Sequence, residues 1–247
     1  MERLPRNPDA GTEPGRQLNG QRLVLWRHGR TAWNADGRFQ GQTDVELDEI
    51  GLAQADRAAT LLAALDPSYI ASSDLARAHQ TAIALASVCG LSVSVDAGLR
   101  ETHGGQWQGR NGEEIRAGHR DLMASWAEGD DVAAGVDGER RSEVAVRMLA
   151  GIERALAAAP NQSTVVVVSH GGAIRAAIGA LLGLPIEYWS ALGVLANCAW
   201  SVLEESAGTV VSKTGTGDPL SLAGTIKWRL SEYNAGSLPE PVIGDDR

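Results

Sequence analysis

Thr164-Val165-Val166-Val167-Val168-Ser169 constrains this chain more than any other segment. A run of valines has no polar face to turn toward water, so it reads as a strand covered on both sides. Such strands belong to parallel sheets sandwiched between helices. This strand ends in His170-Gly171-Gly172, and an upstream apolar run, Leu23-Val24-Leu25-Trp26, ends likewise in Arg27-His28-Gly29-Arg30-Thr31. Ligands bind at the carboxyl ends of strands in an open α/β sheet. Two histidines delivered there point to one site assembled from distant parts of the sequence.

Strands alternate with helices along the chain. Strands are expected at 22–26, 69–71, 91–95, 164–169, 198–204, 209–213 and 226–230. The first long helix is expected at 49–65, capped by Asp48 and stopped by Pro67. The next is expected to run from a Ser73 or Asp74 cap to Cys89, with Gly90 closing it. Further helices are expected at 113–127, from a Ser142 cap to just before Pro160, and at 173–182. Glycines at 29, 37 and 41 predict an irregular loop over 29–46, and 128–139 reads as a glycine- and acid-rich loop. The fold class is therefore α/β, a three-layer sandwich with a mainly parallel central sheet and helices on both faces. Residues 1–20, broken by three prolines and three glycines, are expected to form a flexible leader, and 21–247 a single domain.

Formal net charge is −9, which argues against a nucleic-acid partner, because such binding needs a basic face. A small anion must then be caught by a few local arginines. No apolar run approaches the roughly 20 residues of a membrane helix, so no membrane partner and a cytoplasmic location are expected. Only Cys89 and Cys198 are present, and the five histidines include no i, i+4 pair. Neither a thiolate site nor a helical zinc motif is suggested, and the expected cofactor and metal content is none.

The chemistry that suits these strand ends is phosphoryl transfer through a phosphorylated histidine. It needs an in-line nucleophile, cations around the equatorial oxygens and a proton for the leaving alkoxide. A neutral imidazole at His28 offers a lone pair near pH 7. Gly29 is expected to let the backbone pass closely by the ligand, Arg27 to fork two phosphate oxygens, and Thr31 to supply a hydroxyl. Arg77 falls in the first turn of a helix, where anions are favoured. Glu101, before the turn at Gly104-Gly105, is a possible general acid, although this segment alone favours a surface pairing with Arg100. His79 and Gln80 are read as structural.

Taken in order, these residues resemble a known family. The series is Arg27-His28-Gly29-x-Thr31, Trp33-Asn34, Phe39-x-Gly41, Leu47-x-x-x-Gly51-x-x-Gln54-Ala55, Ser72-Ser73-x-Leu75-x-Arg77-Ala78-x-Gln80-Thr81-Ala82, Leu99-Arg100-Glu101 and Ser169-His170-Gly171-Gly172. It resembles the histidine phosphatase superfamily, of phosphoglycerate mutase-like fold, over about residues 22–235. The resemblance implies that His28 is phosphorylated, that Arg27, Arg77 and His170 form the phosphate pocket, and that Glu101 donates the proton. It also makes Asn34 a ligand contact; Thr31, Gln40, Gly41 and Gly171 complete the expected substrate-binding set.

Mutases of this family carry a basic insertion after the Glu motif, whereas 121–139 here is short and acidic. A phosphatase is therefore favoured over a bisphosphoglycerate-primed phosphoglycerate mutase. A broad-specificity phosphatase and a non-catalytic phospholigand-binding module are the other readings weighed. Within the family, Arg100-Glu101-Thr102-His103, Trp107-Gln108-Gly109, Trp189-x-Ala191-Leu192-Gly193, Asn197-x-x-Trp200 and Ile226-Lys227-Trp228-Arg229-Leu230 resemble bacterial glucosyl-3-phosphoglycerate phosphatases. The likeness implies a small phosphorylated substrate. A homodimer is a further expectation, and the late tryptophans read as core or dimer packing ahead of sugar stacking. One departure stands out: relatives carry Gly-Gly-Glu-Ser where this chain has Asp137-Gly138-Glu139-Arg140.

Overall fold

The computed structural model describes residues 20–206 and 227–236. At its centre, β1 (Arg22–Arg27) runs parallel to β4 (Thr164–Ser169), in register from Arg22 opposite Thr164 to Arg27 opposite Ser169. On the far side of β4 lie β2 (Pro67–Ser72) and then β3 (Val93–Val95), both parallel. On the far side of β1, β5 (Trp200–Ser206) runs antiparallel to β1, and β6 (Lys227–Ala235) beyond it runs antiparallel to β5. The order is β3-β2-β4-β1-β5-β6, and β5 is the one strand of this sheet that runs against the others.

The valine run explains the layers. All four valines are fully buried, because alternate side chains enter opposite cores. Val166 and Val168 join Val24 and Trp26 against α2 (Glu49–Ala63) and α3 (Ala76–Cys89). Val165 and Val167 join Leu23 and Leu25 against α5 (Arg141–Ala158) and α6 (Gly171–Leu181). Each such side chain contributes about 1.5–3 kcal/mol on burial, so the central strands are anchored from both faces. The late tryptophans Trp189 and Trp228 pack in the second of these cores. Apart from these two cores, α4 (Gly112–Glu128) gathers Ile115, Met123 and Trp126 with Phe39 and Trp107 into a separate apolar cluster.

Several local expectations need correction. The 29–46 loop contains a short helix, α1 (Ala32–Ala35), because Thr31 and Asn34 form a reciprocal capping box. Pro67 does not stop α2, which ends at Ala63; it opens β2, the position in a strand where a missing N–H matters least. Neither Ser73 nor Asp74 caps α3. The distant Asp44 does, its Oδ1 accepting from the Ala76 N–H at 2.7 Å, while Ser73 faces His170 and Asp74 pairs with Arg100. Ser142 lies inside α5 and donates to Asp131 at 2.6 Å instead of capping. Gly90 does close α3 in the left-handed region, at φ 68°. The strand expected at 209–213 and the leader over 1–19 lie outside the described residues.

Candidate active site

Because β1 and β4 are in register, their ends place His28 and His170 at the same level. The His28 N–H donates to the Ser169 carbonyl at 3.0 Å, and the two imidazole centroids are 5.1 Å apart. β2 ends level with them, so Ser73 Oγ lies 3.0 Å from His170 Nε2. Both rings are buried. Burial, and after it the charges of Arg77 and Arg27, hold the His28 imidazole well below the ordinary histidine pKa. Burial, then Arg77, His28, Arg147 and Arg27, do the same for His170. Both rings are therefore neutral at pH 7. His28 Nδ1 lies 2.7 Å from the Gly29 carbonyl, which can only accept, so Nδ1 carries the proton and Nε2 presents the lone pair.

The two guanidinium groups are held by backbone carbonyls. Arg27 donates to Leu195, and Arg77 donates to Thr43 at 2.9 Å and Gly41 at 2.7 Å. Gly41 thus acts through its carbonyl, positioning Arg77. Thr31 does not aim a spare hydroxyl at a ligand: its Oγ1 accepts from the Asn34 N–H and lies within 3.2 Å of Asn34 Oδ1 and 3.1 Å of Gln40 Oε1. It therefore orients both amides. Asn34 Nδ2, Gln40 Nε2 and His170 Nδ1 are buried without a hydrogen-bond partner among the described residues. Buried amide donors in that state are unusual, and an anion would satisfy those of Asn34 and Gln40. Gly171 is buried in the first turn of α6, directly after His170.

Glu101 is not a surface partner of Arg100, which pairs with Asp74 instead. Its carboxylate sits at the N-terminus of α6. Oε1 accepts from the Thr102 and Ala173 N–H groups at 2.8 and 2.9 Å, and Oε2 from Gly172 at 3.1 Å. A Cβ at residue 172 would lie 2.9 Å from Oε1, so any other residue there would displace the Glu101 carboxyl. The Glu101 segment is held from behind by Arg147 of α5, which the sequence reading passed over. Arg147 donates to the carbonyls of Gly98, Arg100 and Glu101, and pairs with Glu139 at 2.7 Å. Glu139 also accepts from the His103 N–H at 2.7 Å. Burial alone would raise the Glu139 pKa, but the Arg147 guanidinium outweighs it and brings the carboxyl below its usual value. The available signal was one arginine beside Val144, Ala145 and Met148 on an otherwise buried helix face.

That cluster also explains the departure at 137–140. Glu139 keeps its place beneath the Glu101 segment, and Arg140 stands at the N-cap of α5. Arginine has no acceptor, so Glu143 reaches back to the Arg140 N–H at 2.8 Å and Asp131 accepts from the Ser142 N–H at 3.1 Å. Of the two changes, the one at 140 alters a helix cap, while Asp137 Oδ1 accepts from the Gln106 N–H at 3.1 Å. Gly29 needs a correction too. Its Cβ would strike the Gly51 carbonyl oxygen at 2.4 Å, and a Cβ on Gly51 would meet the Arg30 carbonyl at 2.0 Å. The glycine pair lets the strand-end loop touch α2. Asn197 was also missed: its Nδ2 donates to the His28 carbonyl and to Asn34 Oδ1, both at 3.2 Å.

The architecture and these strand ends define an α/β protein with two neutral imidazoles and two buried guanidinium groups at the carboxyl ends of its central strands. Residues 23–215 match the model of the histidine phosphatase superfamily, branch 1, and the chain belongs to that family. It is 42% identical over 223 residues to a glucosyl-3-phosphoglycerate phosphatase of Mycolicibacterium vanbaalenii, covering 88% of this chain and 96% of the relative. The corresponding enzyme of Mycobacterium tuberculosis is 40% identical over 227 residues, covering 89% and 97%. A mycobacterial glucosyl-3-phosphoglycerate phosphatase solved with VO3 superposes with a TM-score of 0.76 at 40% identity, covering 87% of this chain and 98% of that one. A probable phosphoglycerate mutase of Yersinia pestis is 36% identical over a smaller share, 72% of this chain. No helix among the described residues is long and apolar enough to cross a membrane.

Proposed function

We propose that this chain is a phosphomonoesterase acting through a phosphohistidine, releasing phosphate from glucosyl-3-phosphoglycerate or a closely related glycosylated phosphoglycerate. In this reading residues 21–247 form one phosphatase domain of a cytoplasmic homodimer, checked by sedimentation and cell fractionation. The phosphoryl group sits among Arg27, Arg77 and His170, with Asn34 Nδ2 and Gln40 Nε2 as further donors and the first turn of α6 at Gly171 beside it. His28 Nε2 attacks phosphorus in line while Nδ1 stays bonded to the Gly29 carbonyl. The ester P–O bond breaks as Glu101, entering the step as the protonated carboxyl, gives its proton to the departing oxygen and is left as a carboxylate. Water then attacks the phosphohistidine with Glu101 taking its proton, which returns the enzyme to its starting state.

The observation that carries the reading is the 5.1 Å approach of the two neutral imidazoles, with the Arg27 and Arg77 charges bearing on both. Identity of 40% or more to phosphatases of this substrate supports the choice of ester. The test is an assay of phosphate release from a panel of phosphorylated glycerates and sugars, with mass spectrometry of the quenched enzyme. Phosphate release peaking on the glucosylated ester, with label only on His28 and none in His28→Ala, supports the reading. Interconversion of 3- and 2-phosphoglycerate without net release, or label elsewhere, overturns it.

A further inference from the structure

The loop ahead of β5 grips the end of β1. The Leu195 carbonyl accepts from the Arg27 guanidinium, and the Ala199 carbonyl from the Arg27 N–H at 2.9 Å. The His28 carbonyl accepts from the Cys198 N–H at 3.1 Å and from Asn197 Nδ2 at 3.2 Å. This loop sets where a phosphate-binding arginine and the nucleophile stand, so whatever holds the loop bears on the site.

It is held from β6, which is separated from β1 by β5. Trp200 pairs with Ala235 and Val202 with Glu232, so β6 carries an extra residue here, a β-bulge at Tyr233 and Asn234. Asn234 takes the left-handed conformation, at φ 54°, which asparagine tolerates better than most residues. Both bulge side chains reach the loop. Tyr233 donates to the Gly193 carbonyl, while Asn234 Oδ1 accepts from the Ala196 N–H at 2.8 Å and Nδ2 donates to the Val194 carbonyl at 3.4 Å. Leu195, between the two residues that Asn234 holds, buries its side chain in the core beneath α5 and α6. Its carbonyl and the Ala196 N–H belong to one planar peptide group. Asn234 fixes the N–H end of that plane, and the carbonyl end holds Arg27.

We propose that Asn234 is a positioning residue of the phosphate pocket, acting through the Leu195–Ala196 peptide to aim the Arg27 guanidinium. The inference rests on the phosphatase reading for what Arg27 binds, and it adds a residue that touches no reacting atom. Polarisation works in the same direction. An N–H that donates to Asn234 makes the carbonyl of its own peptide a stronger acceptor for a cation. The effect falls on Arg27, because the donors to the His28 carbonyl lie further along the loop, at Asn197 and Cys198.

The test uses Asn234→Gly, which keeps the left-handed backbone and loses both side-chain bonds to the loop. Calorimetric titration of the full chain with inorganic phosphate should show affinity about tenfold weaker than in wild type. A double-mutant cycle with Arg27→Met gives the readout that a merely structural role would not move. In that background the further loss on Asn234→Gly should shrink to within about twofold. An equal loss in both backgrounds, affinity in Asn234→Gly within about twofold of wild type, or no phosphate binding by wild type overturns the proposal. Should Asn234→Gly fail to fold, amide NMR of wild type decides. The Ala196 resonance should move on phosphate binding and stay still in Arg27→Met; a resonance unmoved in wild type overturns the proposal. A wild type that binds phosphate but hydrolyses no ester removes the phosphatase reading and leaves this comparison standing. Turnover by wild type with unaltered affinity in Asn234→Gly does the reverse.

Discussion

At the level of single residues, the two histidines and Glu101 make separable predictions. His28 and His170 are held well below the ordinary histidine value, chiefly by burial. In the unfolded chain they take up protons near pH 6.5, so the unfolded state binds more protons than the folded one below that pH. Stability is therefore full above about pH 6.5 and falls as the pH is lowered toward the depressed folded values. Urea denaturation between pH 7 and pH 5 should show that slope, and His170→Asn should reduce it. Glu101→Gln tests a different property. The amide keeps the side-chain shape but cannot give up a proton, so the loss should reach about 10²–10⁴-fold for an alkyl ester. With p-nitrophenyl phosphate, whose leaving group needs little help, it should stay below about tenfold. Equal losses in steady-state assays of both would remove Glu101 as the donor.

Elements carry the site through contacts between their backbones. Gly51 of α2 and Gly29 after β1 meet with no room for a side chain, so Gly51→Ala must push apart two main-chain segments. A cost of about 1–3 kcal/mol is expected, seen as a lower Tm. Arg147→Met should do the reverse of a packing mutation. Its methylene stem is replaced, but the carbonyls of Gly98, Arg100 and Glu101 lose their common donor. A shift of about 1 Å at Glu101 is worth roughly a hundredfold in rate, so kcat should fall by about 10- to 100-fold while KM changes little. A proportionate loss in KM would mean that Arg147 acts through substrate binding and not through the position of Glu101. These devices were poorly legible in the sequence because each joins segments far apart. The Asp48 cap and the Gly90 terminus were readable, being local signals. The Asp44 cap of α3 was not, since its acceptor lies 32 residues from the N–H it satisfies.

Over the whole molecule, what the sequence made plain was the order of layers. The valine run had to be covered on both faces, and two strand-end histidines had to meet if their strands were neighbours. Periodicity does not give which strands are neighbours or in what register; the pairing of Arg27 with Ser169 supplies both. The same pairing concentrates Arg27, Arg77, His28 and His170 in one buried pocket of an acidic chain. Buried guanidinium groups beside buried donors without partners carry a desolvation cost that an anion relieves. Inorganic phosphate should therefore bind the folded form alone and raise its stability by about 2.7 kcal/mol at a concentration of 100 times Kd. Thermal unfolding with increasing phosphate checks this against sulfate-free buffer of matched ionic strength, which separates site binding from general salt effects. His28→Ala should keep most of the shift, because the nucleophile is not the principal source of charge, whereas Arg77→Ala should lose it. A shift of the same size in Arg77→Ala would place the anion elsewhere, and with it the chemistry assigned to these strand ends.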